Sequence, residues 1–114
     1  MSYTDFFIAP VPVEKRSEYR AFCEVSQAMM KNLGAVEIAD FWGDDIPEGK
    51  VTSLPMAVKC GEGETVAAGW VVWPDKATRD AAWGRMMSED SMGEMPFDGK
   101  RMIFGGFDEV LVTR

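Results

Sequence analysis

Alternating or short apolar runs in five stretches of the chain predict β-strands, because neighbouring side chains of a strand point to opposite faces. These stretches are residues 3–11, 35–43, 52–60, 65–73 and 100–112. Pro55 would break the third strand or place it at an edge, since proline cannot donate to the strand ladder. The glycine turn at residues 61–64 predicts that the third and fourth strands form a hairpin. Gly105 and Gly106 indicate a bulge or a close backbone approach in the last strand.

Two further stretches have the spacing of a helix with one apolar face, with apolar residues three and four positions apart. The first helix is predicted at residues 14–33 and would close at Gly34, which can adopt a left-handed conformation. The second is predicted at residues 76–88, with Asp75 as its N-cap. This order of elements is typical of the α+β class and of the ferredoxin-like split βαβ plan, an antiparallel sheet with two helices on one face.

Several predicted strands are apolar on both faces, although a sheet covered by helices on one side usually presents polar residues on the other. The fourth strand, for example, places Trp70 on one face and Val71 on the other. An apolar face of this size is unusual for a soluble monomer. A second copy could cover it with its own sheet, as in dimeric α+β barrels. We therefore expect one ferredoxin-like domain over residues 1–114 that forms a homodimer.

Composition and charge narrow the classes of partner. The chain has 114 residues, of which 46% are hydrophobic and 27% charged, as expected for one globular domain. Its formal net charge of −7 disfavours nucleic acid and anionic membrane surfaces. No signal peptide or membrane-spanning stretch is visible, and two widely spaced cysteines do not make a disulfide framework. We therefore expect a cytoplasmic protein with reduced thiols.

The chain contains no histidine, which removes the usual base of Ser–His and Cys–His catalytic pairs and the commonest metal ligand. Any general base would have to be a perturbed carboxylate, lysine, tyrosine or cysteine. The acidic stretch at residues 40–48 lacks the spacing of a calcium loop and has good turn chemistry. We therefore expect no metal and no cofactor, and keep Asp44 and Asp45 as candidate polar groups at the mouth of a cleft.

Three other ionisable residues are candidates for contacting a ligand. Asp5 is a carboxylate in an otherwise apolar strand; buried without a partner it could act as a base, whereas a pair with Arg101 would make it structural. Arg101 could clamp a substrate carboxylate, although an ion pair with Asp98 is the plainer interpretation. Arg79 is likewise expected either at the pocket or paired with Asp80.

Aromatic and methionine side chains could form the walls of a ligand cavity. The tryptophans suit either a planar ligand or packing in the core and the dimer interface. The methionines of residues 86–102 are expected to fill the core, with a plastic pocket wall or an oxidation-sensitive lid as the alternative. Cys23 is expected to be an inert core thiol. The tentative ligand-binding residues are Asp5, Tyr19, Trp42, Asp44, Asp45, Trp70, Arg79 and Arg101.

Several motifs of the sequence, above all at residues 95–107 and 42–52, resemble those of the YbaA-like family of small bacterial proteins, the DUF1428 domain. The resemblance covers nearly the whole chain and is strongest in Met-Pro-Phe-Asp-Gly-Lys-Arg-Met-Ile-Phe-Gly-Gly-Phe at residues 95–107, with further support from residues 42–52. It implies a ferredoxin-like fold in the dimeric α+β-barrel superfamily and no particular activity. The chain departs from the family in a short segment before residue 95 and in lacking an aromatic residue near Leu54-Pro55, and both departures could alter a pocket rim.

Three functional hypotheses follow. The leading one is a homodimer that binds a small, partly apolar molecule in the barrel interior or in a cleft. The second is a cofactor-free enzyme of the monooxygenase or isomerase type, because residues 70–87 also resemble antibiotic-biosynthesis-type monooxygenases. The third is a structural or partner-binding dimer with a filled core. An open cavity, and a desolvated carboxylate inside it, would distinguish the three.

Overall fold

The computed structural model describes residues 2–89, apart from the side chain of Glu89, and residues 94–114, and it has an α+β fold. Four antiparallel strands form one sheet in the order β2-β3-β1-β4. The strands are β1 (Tyr3–Pro12), β2 (Glu37–Trp42), β3 (Glu64–Trp73) and β4 (Ile103–Asp108). The helices are α1 (Arg16–Asn32), α2 (Leu54–Ala57) and α3 (Lys76–Glu89), and short 3₁₀ turns lie at Val13–Lys15 and Gly99–Arg101. Within these ranges no helix is long and apolar enough to cross a membrane.

Both long helices form where the apolar spacing predicts them. The first begins two residues later than predicted, because Val13–Lys15 is a 3₁₀ turn. It is followed by Gly34, whose φ of 113° lies in the region that favours glycine. The second helix is preceded by Asp75, whose Oδ1 accepts from the backbone N–H of Thr78 at 2.7 Å. The predicted N-cap is therefore confirmed.

The predicted third strand, residues 52–60, is wrong. Leu54–Ala57 is a short helix, because Ser53 Oγ accepts from the backbone N–H of Met56 at 3.1 Å and Pro55 suits the first turn of a helix. The predicted hairpin with β3 is consequently absent, and β3 pairs instead with β1 and β2. A serine cap and an early proline are helix-start signals that outweighed the weak strand pattern.

The last strand is shorter than predicted at both ends and stops at Asp108. It begins later because Asp98 caps a 3₁₀ turn at Gly99–Arg101 by accepting from the backbone N–H of Lys100 at 3.0 Å. Its register with β1 is continuous, so the predicted bulge is absent. The close approach is confirmed at Gly106, where a Cβ would lie 2.6 Å from Tyr3 Cε2 and 2.8 Å from Arg79 Nη2.

Helices α1 and α3 pack on the same face of the sheet. The strand register places Val11 and Ala67 beneath α1, in a buried cluster with Tyr19 and Cys23. It places Val71 and Trp73 near α3, in a second buried cluster with Ala82. The opposite face carries half-exposed or exposed aromatic and aliphatic side chains, among them Phe6, Phe41, Trp70, Ile103 and Phe107.

Candidate functional site

A cleft of about 260 Å³ lies between α1, α3 and the helix-covered face of the sheet. Its walls are mostly apolar and include the methionines Met30, Met86, Met87, Met95 and Met102. Aromatic rings, including those of Phe22, Trp83 and Phe97, complete the walls. Because the lining takes side chains from both buried clusters, the cleft lies between them. This is the concave, apolar kind of surface that small-molecule sites use.

The methionines of residues 86–102 were expected to fill the core, and this expectation is wrong for those that the structure describes. Met86 and Met102 are half-buried, whereas Met87 and Met95 are exposed. All four line the cleft. Unbranched thioether side chains adapt their shape to what they contact, so they form the plastic wall that was the alternative. Met92 lies outside the described residues.

Asp5 is the centre of a buried hydrogen-bond network at one end of the cleft. The residue is only 4% exposed. Its Oδ2 accepts from the indole Nε1 atoms of Trp73 and Trp83 at 2.9 and 3.1 Å. Its Oδ1 accepts from Arg79 Nη2 at 2.9 Å and Arg79 Nε at 3.1 Å. The carboxylate therefore has its main acceptor positions occupied and is structural.

Arg79 holds this network together from α3. Its guanidinium lies 4.7 Å from the ring centre of Trp83 and 5.2 Å from that of Tyr3, within the range of cation–π contacts. Hydrogen bonds to Asp5 raise the pKa of Arg79 above its usual value, so its guanidinium is charged. The predicted pair with Asp80 is confirmed at 2.9 Å. The predicted alternative in which Asp5 pairs with Arg101 is wrong.

Arg101 lies away from the cleft and is fully engaged. It binds the Glu64 carboxylate through two hydrogen bonds of 2.9 and 2.8 Å, donates to Asp98 Oδ2 at 2.9 Å, and donates to the carbonyl of Lys59 at 2.9 Å. These hydrogen bonds lower the pKa of Glu64 and the pKa of Asp98. The predicted pair with Asp98 is confirmed, and the hypothesis that Arg101 clamps a substrate carboxylate loses its support.

A second set of polar side chains, contributed by α1 and β2, lies near the cleft and away from Asp5. Asp40 follows the alternation of β2, so it points to the same face of the sheet as Ile38 and Trp42. Its Oδ2 accepts from Gln27 Nε2 at 2.7 Å. The buried hydroxyl of Tyr19 and thiol of Cys23 lie beside it.

Burial keeps both of these neighbours protonated. It raises the pKa of Tyr19 well above its usual range and, with the nearby Asp40 carboxylate, raises the pKa of Cys23 to about 12. At neutral pH both groups are therefore neutral. Cys23 is thus buried and unreactive, as predicted.

The other predicted site residues lie outside the cleft lining. Trp42 packs against Tyr19 at one end, with 5.8 Å between the ring centres. Trp70 lies on the opposite face of the sheet and donates to Glu37 Oε2 at 2.8 Å. Asp44 and Asp45 are exposed in the loop after β2. Among the described residues, no three carboxylates or thiols come close enough to hold a metal ion.

Sequence reasoning missed Asp40 as a cleft residue, because it was considered only with the acidic loop that follows it. The alternation of β2 was the available signal. Ile38, Asp40 and Trp42 share one face, and that face is the one that the helices cover. Of the residues that were predicted, the cleft lining includes Asp5 and Tyr19.

Comparison with known proteins places the chain in a family. The model of the family described as "Protein of unknown function (DUF1428)" matches residues 2–99. The chain is 44% identical over 115 aligned positions to "Uncharacterized protein YbaA" of Escherichia coli (strain K12), covering 97% of this chain and 98% of that protein. The proteins of the same name from Escherichia coli O157:H7 and Shigella flexneri match equally well.

One solved structure, "De novo designed protein Foldit4", is similar with a TM-score of 0.45 and 12% identity, over 96% of this chain and 98% of that one. This likeness is too weak to support a conclusion on fold or function. The family match and the 44% identity over nearly the full length are sufficient on their own. The chain belongs to the DUF1428 family.

Proposed function

We propose that the protein binds a small, largely apolar molecule in the cleft between α1, α3 and the sheet. The observation that carries this proposal is the cleft of about 260 Å³ itself, with methionine and aromatic walls and a few polar groups at its ends. Small-molecule sites commonly combine apolar walls with a small number of placed polar groups. Methionine walls favour a ligand that need not match a rigid shape.

The enzyme hypothesis is less well supported than binding. It requires a buried carboxylate that is free to take a proton from a substrate. Asp5, the carboxylate on which the hypothesis depended, already accepts hydrogen bonds from Trp73, Trp83 and Arg79. A filled core, which the third hypothesis requires, agrees poorly with an open cleft beside the buried clusters. Ligand binding is therefore the function that the site favours.

Fluorescence and NMR titrations with small aromatic and aliphatic probes test the binding proposal. Met86→Trp should fill the cleft from α3 and weaken binding at least about tenfold, because pockets tolerate added volume poorly. Met56→Trp is the matched control, since Met56 lies in α2 and does not line the cleft. We expect the control to bind as the unaltered protein does. Equal loss in both variants, or no binding of any probe to the unaltered protein, would overturn the proposal.

We also propose that two copies pack through their open sheet faces in a ferredoxin-like, dimeric α+β-barrel arrangement. The order of elements and the strand order β2-β3-β1-β4 support the ferredoxin-like plan. The open face supports the pairing, because it carries a connected aromatic surface. Between ring centres, Phe6 lies 5.3 Å from Phe107 and 6.3 Å from Trp70. Trp70 in turn lies 4.8 Å from Phe41. Burying such a patch stabilises an assembly.

A further inference from the structure

We infer that the ligand of the cleft is an organic amine, an apolar body carrying an ammonium group that pairs with Asp40. The inference rests on the proposed binding function and deepens it by naming the ligand class. It starts from the charges along the cleft. Among the lining residues that the structure describes, the charged ones are Asp5 and Asp40, and no lysine or arginine is present.

The two carboxylates differ in whether their charge is compensated. Asp5 has its ion pair with Arg79 at 2.9 Å and accepts two further indole N–H groups. Asp40 accepts from the neutral amide of Gln27 and hydrogen-bonds with the neutral thiol of Cys23, and no ion pair of the described residues includes it. A carboxylate offers about four acceptor positions. Asp40 thus has no ion-pair partner among the described residues and keeps some of its hydrogen-bonding capacity for a ligand.

Asp40 lies where the polar end of a ligand bound in the cleft would reach the cleft's edge. It borders the cleft and also a wider groove of about 680 Å³ between α1 and β2. The cationic side chains of that groove, Arg16 and Arg20, contact other residues that line it. Arg16 lies over the ring of Trp42 at 5.5 Å, and Arg20 contacts Glu24 at 3.2 Å. Among the ion pairs of the described residues, neither arginine is paired with the half-buried Asp40 carboxylate.

The neighbouring walls favour a cation over a neutral donor. The rings of Tyr19, Phe22 and Phe97 are mutual neighbours, with centres 5.8 to 6.4 Å apart, and all three line the cleft. Aromatic faces attract ammonium groups, most strongly where water is excluded. A carboxylate beside such rings binds a cation more strongly than it binds a hydroxyl. The net charge of −7 attracts cations and repels anions.

A matched set of probes with one apolar body tests the inference: 2-phenylethylamine, 2-phenylethanol and 3-phenylpropionate, titrated by calorimetry and NMR. We expect the amine to bind the unaltered protein at least about tenfold more tightly than the alcohol, since hydrogen bonds to charged groups are the stronger ones. The carboxylate should bind weakest. This comparison requires no variant, so it does not depend on whether a variant folds.

Variants then assign the preference to Asp40. Asp40→Asn should remove the advantage of the amine over the alcohol, whereas Asp40→Glu should keep part of it. Asp45→Asn is the control, because it removes an equal charge from an exposed loop outside the cleft. If Asp45→Asn loses the preference equally, the assignment to Asp40 is wrong.

The outcomes separate this inference from the proposed function. If the alcohol or the carboxylate binds as tightly as the amine, and Met86→Trp abolishes that binding, the cleft is a binding site but the amine inference is overturned. If none of the three probes binds while other apolar probes do, the inference fails and the proposed function survives. If no probe of any class binds, both fail.

Discussion

At the scale of single residues, the role of Asp5 follows from the four nitrogen atoms that donate to it. A buried carboxylate without partners would be a candidate base, but one that is saturated by Arg79 and two indoles holds the structure together. Arg79 in turn joins α3 to the first strand, and the missing side chain of Gly106 leaves room for it. The same residue types in another arrangement would have made a reactive site.

Asp5→Asn should destabilise the protein strongly, because it removes the buried counter-charge of the largely buried Arg79 guanidinium and leaves only the exposed Asp80 carboxylate. We expect the free energy of unfolding to fall by about 2 to 3 kcal/mol, because the pair with Asp80 remains, measured by urea denaturation. Glu24→Gln removes one partner of the exposed pair with Arg20, whose side chains are 68% and 82% exposed. That control should cost less than about 0.5 kcal/mol. Similar losses in the two variants would show that the Asp5 network is not a major source of stability.

At the scale of secondary-structure elements, Arg101 connects three parts of the chain that are far apart in sequence. From the 3₁₀ turn at Gly99–Arg101 it binds Glu64 at the start of β3 and the carbonyl of Lys59 after α2. These contacts fix the segment that leads into β4. Such a clamp is partly buried, so salt screens it less than it screens a surface pair.

This clamp predicts a loss of stability in acid. Arg101 lowers the pKa of Glu64 below its ordinary value of 4.5, so the folded state binds the proton of Glu64 less readily than the unfolded state. The stabilisation is therefore complete above the unfolded pKa and disappears as the pH falls through the folded pKa. Urea denaturation between about pH 6 and pH 3 should show a smaller acid-induced loss for Glu64→Gln than for the unaltered protein. Parallel curves would contradict this.

At the scale of the whole molecule, one face of the sheet is covered by helices and the other is open and aromatic. The covered face contains the cleft, and the open face contains the proposed contact with a second copy. The two surfaces lie on opposite sides of the same four strands, so ligand binding and self-association can be tested by separate substitutions.

Phe107→Glu should convert a dimer into a monomer, because it places a charge within the apolar face at a side chain that is 55% exposed in one copy. Light scattering should then report 12.7 kDa in place of twice that mass. Val25→Glu is the control, as Val25 is 64% exposed on the outer side of α1. It should remain dimeric. An unaltered protein of 12.7 kDa at high concentration would overturn the proposed dimer.

Local patterns in the sequence determined the α+β class, both long helices, the N-cap at Asp75 and the cores of four strands. Each of these depends on residues within a few positions of one another, where a period of two or of 3.6 is visible directly. The same patterns failed at residues 54–57, where the capping hydroxyl of Ser53 and an early proline decided in favour of a helix. Local chemistry determines the helix at these residues too, but the strand prediction gave too little weight to the serine and the proline.

Only the tertiary structure decided which side chains meet. Asp5 and Arg79 are 74 residues apart, and Glu64 and Arg101 are 37 apart, so their pairing depends on strand register and helix docking. The cleft likewise exists only because α1 and α3 pack on one face and leave space between two buried clusters. The sequence supplied the carboxylates, guanidinium groups and methionines. Long-range packing determined that Asp5 has an ion pair, whereas Asp40 has none among the described residues, because charge compensation depends on distances in space.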